Sequence, residues 1–104
     1  MKNGYNDSIM ATEPGECYVC KRKKETARHE IFYGNDRAAS KRLGLWINVC
    51  PKCHAEIHSD INLDVALKCE AQRKFETLHS RAEFMDIKNG IGKNYLWEED
   101  NGKR

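Results

Sequence analysis

The chain has 104 residues, 39% hydrophobic and 33% charged, with a formal net charge of +2 and a mean hydropathy of −0.82. These values exclude a membrane span, a collagen-like chain and a low-complexity chain. They leave one small domain whose core needs a staple such as a metal or disulfides. No apolar run of signal-peptide length opens the sequence, so the expected setting is the reducing cytoplasm, where disulfides are rare.

Residues 1–15 show little periodicity and include Pro14-Gly15, which predicts a flexible, loosely packed N-terminal segment. Cys17-Tyr-Val-Cys20 then predicts a tight knuckle that presents two sulfurs to one ion. From Thr26 to Tyr33, His29, Ile31 and Tyr33 alternate with Glu30 and Phe32, the period of a strand. Gly34-Asn35-Asp36 is a turn, and Ala38 to Arg42 is read as a helical turn or a loop. Leu45 to Val49 supplies the second strand of a hairpin. Pro51 suits the first position of a helix carrying Cys53, His54, Ile57 and His58. A second helix is expected over Asp64 to His79, where Leu67, Ala71, Phe75 and Leu78 form one apolar stripe. Ser80 and Glu83 match a capping box that opens a third helix through Lys88. Ile91 to Trp97 is an apolar segment able to pack back on the body, and residues 98–104 read as a frayed tail. The domain itself is expected over residues 16–97.

Five cysteines are the most informative count, because four of them form two C-x-x-C pairs. In a reducing compartment that spacing reads as a zinc site, with Cys17, Cys20, Cys50 and Cys53 as the four ligands of a closed structural tetrahedron. Cys69 lies in a helical pattern and reads as a buried small hydrophobe. His54 and His58 are four apart and share one helix face, and His29 enters from the first strand as a third donor. Cys53 and His54 diverge by about 100° around the helix, so sulfur faces one metal while imidazole faces another. Three histidines with open positions would let a phosphate and water reach the ion. His79, at the end of a helix, reads as structural.

Charge distribution adds to this. Cys17 to Leu45 carries eight basic residues (Lys21, Arg22, Lys23, Lys24, Arg28, Arg37, Lys41, Arg42) against three acids, a local excess suited to a polyanion or to a solvated surface.

Cys17-x-x-Cys20, His29 before a short apolar strand, and Cys50-Pro-Lys-Cys53-His54-x-x-x-His58 together resemble the HNH endonucleases of the ββα-metal type. Within that family they resemble the zinc-bound treble-clef, or His-Me finger, subgroup. The stretches His29-Glu-Ile-Phe-Tyr-Gly and Gly44-Leu-Trp-Ile-Asn-Val-Cys50 are similar to small phage and prophage HNH proteins. Gln72-Arg-Lys-Phe75-Glu76, Phe84-Met85 and Gly92-Lys-Asn-Tyr-Leu96 are similar to the tail of that group, which includes phage recombination-enhancement nucleases that work with a recombinase. The resemblance spans about Cys17 to Leu96.

It implies an α+β fold, a zinc-stapled hairpin-and-helix core with C-terminal helices. It also implies hydrolysis of DNA phosphodiesters with Mg2+, Mn2+ or another divalent ion. Carried over by position, His29 is a ligand and Glu30 the general base. In the alternative, His29 is the base while His54, His58 and Glu30 hold the ion. The family's middle asparagine falls where this chain has Leu45, and Asn48 is the nearest asparagine. Lys21 to Lys24, Arg37, Lys41 and Arg42 would contact phosphates, giving affinity and register without sequence readout. Two other readings stand beside this one. One is a zinc-stapled DNA-binding module that does not cleave, favoured by Glu30 and Leu45. The other is a structural or protein-interaction zinc domain. The three extra histidines favour the nuclease.

Overall fold

A computed structural model describes residues 4–97 of the chain. It is a small α+β arrangement with the element order of a broken hairpin followed by helices. β1 (Ala27–Glu30) pairs antiparallel with β2 (Trp46–Val49), with His29 opposite Ile47 and Glu30 opposite Trp46. Alternation sends His29 and Ile47 to the core face, and both are buried. The strands are shorter than the apolar runs because the chain bends away after Ile31, whose N–H makes the last cross-hairpin bond, to the Leu45 carbonyl. There a short 3-10 turn (Gly34–Asp36) leads into α1 (Arg37–Leu43).

α1 has no apolar periodicity to announce it, and tertiary bonds hold it in place. The buried Ser40 hydroxyl accepts from the Phe32 N–H at 3.0 Å and donates to the Phe32 carbonyl at 2.6 Å. Gly44 ends α1 with φ +74°, and a Cβ there would lie 2.3 Å from the Asp7 carbonyl oxygen. Gly44→Ala is therefore expected to lose more than the ~1–2 kcal/mol of the left-handed backbone alone. Thermal melting should show this as a lowered midpoint.

That clash involves residues 4–15, which were expected to be loosely packed and are not. The Ile9 N–H donates to the Gly44 carbonyl, and the Ser8 hydroxyl donates to the Trp46 carbonyl. Thr12 accepts from the Asn48 N–H at 2.8 Å, and Met10 is buried. The segment runs along β2, satisfying backbone groups that the two-stranded sheet leaves open. Residues 1–3, and the tail expected over 98–104, lie outside the described residues.

α2 (Pro51–Ser59) begins with Pro51 at its first turn and turns Cys53 and Ile57 inward. α3 (Ile61–Glu76) starts earlier than its apolar stripe implied, because the Asp60 side chain accepts from the N–H groups of Asn62 and Leu63. Leu67, Ala71 and Phe75 are buried, whereas Leu78 lies past the end of α3 and is 57% exposed. The capping box at Ser80 and Glu83 is present, but α4 (Arg81–Phe84) is only four residues long. Phe84 is its one buried residue, seated between Phe32 and Phe75 with ring centroids 5.6 and 5.3 Å away. The Phe84 carbonyl accepts from Ile91 and Gly92, so the chain doubles back instead of continuing the helix to Lys88.

Ile91 and Leu96 then pack on the body, as the apolar segment implied. Gln72, fully buried on α3, accepts from the Tyr95 N–H at 2.7 Å and donates to Asn94. The Cys69 thiol donates to the Tyr95 carbonyl, so Cys69 ties α3 to this segment and is only half-buried. No helix among the described residues is long and apolar enough to cross a membrane.

Candidate metal centres

The first centre is built by two local devices. After Cys17 the chain folds tightly, with the Lys21 N–H donating to the Cys17 carbonyl at 2.8 Å and Lys21 itself at φ +66°. The Tyr18 N–H donates to the Asn48 carbonyl and docks this knuckle on β2. Cys50 caps α2 and Cys53 sits one turn inside it, so both sulfurs meet the knuckle at the end of the hairpin.

Their placement fits a structural zinc site. The four ligand atoms lie within 4.8 Å of one another, and Cys20 Sγ is 4.0 Å from Cys50 Sγ. A tetrahedron with zinc–sulfur arms of about 2.3 Å has edges of about 3.8 Å. Four sulfurs this close cannot all carry charge unless a cation sits among them. Burial opposes a thiolate at Cys17, but backbone N–H groups outweigh it and draw that thiol down to about 6. Backbone donation likewise lowers Cys50. Burial and the neighbouring sulfurs drive Cys53 up to about 12. One divalent cation removes that conflict.

The second centre is the histidine group. The ring centroids of His29 and His54 are 5.1 Å apart, those of His29 and His58 5.4 Å, and those of His54 and His58 5.1 Å. Their donor nitrogens also lie within 4.8 Å of one another. His29 is buried, His54 half-buried and His58 exposed, so the group has a protein side and a solvent side. Burial first, and then the charges of His54 and His58, hold His29 down at about 4. Burial also lowers His54. At neutral pH His29 is thus an uncharged donor, as ligation requires. Its Nε2 is buried with no hydrogen-bond partner, an orphaned lone pair or proton that a native site normally satisfies.

Comparisons with protein-family models, curated proteins and solved structures give no match. The geometry therefore carries the functional reading.

Glu30 points to the opposite face of the hairpin from His29, where it accepts from the Tyr5 hydroxyl and pairs with Arg37 at 3.6 Å. Its charge still reaches His54 and His29, opposing the fall in both pKa values. Asn48 is buried and bonded to Thr12 through its backbone N–H and its amide, so it serves the N-terminal segment. Lys21, Arg22, Lys23 and Lys24 are exposed along the knuckle. Arg37 is paired with Glu30, Lys41 lies 5.0 Å over the Tyr5 ring, and Arg42 donates to the Asn89 carbonyl. Sequence reasoning passed over Tyr33, whose ring lies 5.2 Å from that of His58 and 5.9 Å from that of His29. Strand alternation from His29 through Ile31 was the signal that could have found it.

Proposed function

We propose that this chain is a divalent-ion-dependent DNA endonuclease of the HNH type, built on a zinc-stapled ββα-metal, treble-clef core. The observation that carries the reading is the convergence of three imidazoles, from β1 and α2, beside a closed four-cysteine cluster. A purely structural finger has no use for a second donor set with a solvent side.

In this reading Cys17, Cys20, Cys50 and Cys53 hold zinc, and His29, His54 and His58 hold the working ion. An all-imidazole set suits the later transition ions best; Mn2+, which also takes oxygen ligands from phosphate and water, is a closer fit than Mg2+, which is bound almost wholly through oxygen. A divalent ion there supplies Lewis-acid stabilisation of the charge that builds on the phosphate and on the leaving oxygen. His29, held neutral down to about pH 4, serves as a ligand and is a poor proton acceptor. Glu30, the general base by position in the family, faces away from His29 and is held by Tyr5 and Arg37, so in this arrangement it does not reach water on that ion. Lys21, Arg22, Lys23 and Lys24 draw the phosphate backbone to the knuckle side, without reading bases. Sequence choice then falls to a partner, and the resemblance points to a recombinase.

A second reading, a DNA-binding module without cleavage, is favoured by the engagement of the Glu30 carboxylate with Tyr5 and Arg37. Supercoiled plasmid incubated with the zinc-loaded chain and Mn2+ separates the two. Nicking that stops on chelation supports the nuclease, and salt-sensitive binding without nicking supports the module.

A further inference from the structure

On the side of the histidine group facing α3 lies a set of groups that the nuclease reading does not use. Tyr33 packs its ring on His29 and His58. Behind it, the Lys68 ammonium sits 4.6 Å from the Tyr33 ring centroid and 2.9 Å from Asp64 Oδ2. The Lys68 and Asp64 side chains are only 15% and 11% exposed. The Tyr95 ring flanks the same ammonium at 5.8 Å and packs on Phe32 at 5.3 Å. Tyr95 is itself fixed, its N–H donating to Gln72 and its carbonyl accepting from Cys69.

An i,i+4 ion pair on an exposed helix face does little, and taking one out of water is costly. Here the pair is withdrawn from solvent against two tyrosine faces, and it aims at the ring that borders two of the three histidines. His58 is exposed on the last turn of α2, so without a wall beside it its imidazole can turn away. The Lys68 charge over the π face of Tyr33 holds that wall in place. Asp64 neutralises the ammonium, so that it does not repel a cation at the histidines.

We propose that Tyr33, Lys68 and Asp64 are positioning residues for the histidine-held ion, braced by Tyr95 of the C-terminal segment. This rests on the reading of His29, His54 and His58 as an ion site. It gives the helical extension a role in function as well as in burial: the extension carries the groups that set the histidine ring planes.

The test is a titration of the zinc-loaded full chain with Mn2+ in the absence of DNA, with free ion read by electron paramagnetic resonance. Tyr33→Leu and Lys68→Met are expected to weaken Mn2+ binding about 10–100-fold in the folded fraction, with zinc content close to wild type; Lys68→Met also leaves the Asp64 carboxylate unpaired, so its melting temperature falls. Lys68→Arg keeps the charge and Tyr33→Phe keeps the ring, and both are expected to bind Mn2+ nearly as wild type does. A role in stability alone would lower the melting temperature and leave Mn2+ affinity unchanged in the folded fraction, which overturns the proposal. Wild type that binds no Mn2+ overturns the ion-site reading and this proposal together. Wild type that binds it no better than Lys68→Met and Tyr33→Leu overturns the positioning role alone. If Lys68→Met does not fold, Tyr33→Leu decides.

Discussion

With Cys50 replaced by serine, the chain is expected to lose its cooperative fold. Serine keeps its proton at neutral pH and leaves three sulfurs to hold an ion that needs four ligands. Cys50 is fully buried at the junction of β2 and α2, so the lesion lies where hairpin, knuckle and helix meet. Structural zinc is worth on the order of 10 kcal/mol to a small domain, comparable to the whole stability of a typical one. Among the described residues the sheet has two strands, and the fully buried side chains are few. Far-UV circular dichroism should show a largely unfolded chain, and metal analysis less than one zinc per molecule. Wild type stripped by a chelator should behave the same way. A Cys50→Ser protein that melts cooperatively near the wild-type temperature would contradict the zinc staple.

The second large effect is expected at His54. Its ring is half-buried on the outer side of α2, so His54→Ala removes one donor and leaves no large cavity. The fold and the zinc content should survive. Plasmid nicking with Mn2+ should fall by at least about a hundredfold, because even groups that merely support a ligand cost about 10–100-fold when lost. DNA binding at low salt should change little, since the basic knuckle is untouched. Equal nicking by wild type and His54→Ala would place any cleavage outside the histidine group.

Both centres could be read from the sequence because each rests on local spacing. Two C-x-x-C pairs fix sulfur positions within single turns of chain. His54 and His58 share a helix face wherever that helix goes, and His29 needed only the strand alternation that buries Ile31 and Ile47. The N-terminal segment was not legible for the opposite reason. Its bonds, from Ser8 to Trp46 and from Asn48 to Thr12, are polar, long-range and without period. The same holds for α1, which is held by Ser40 and stopped by Gly44. The basic residues show a further limit of composition. Arg37, Lys41 and Arg42 count toward the local positive charge, yet the fold engages them with Glu30, Tyr5 and Asn89. Helix ends shifted where a side chain decided them: Asp60 moved the start of α3 forward, and the turn back at Phe84 cut α4 short.

The most direct test of the central claim is a crystal of the zinc-loaded chain soaked in Mn2+, with anomalous scattering recorded for each metal. A zinc peak among Cys17, Cys20, Cys50 and Cys53, and a manganese peak bonded to His29 Nε2 and to ring nitrogens of His54 and His58, is the expected result. Manganese bound elsewhere, or imidazoles turned away from a common centre, would contradict it.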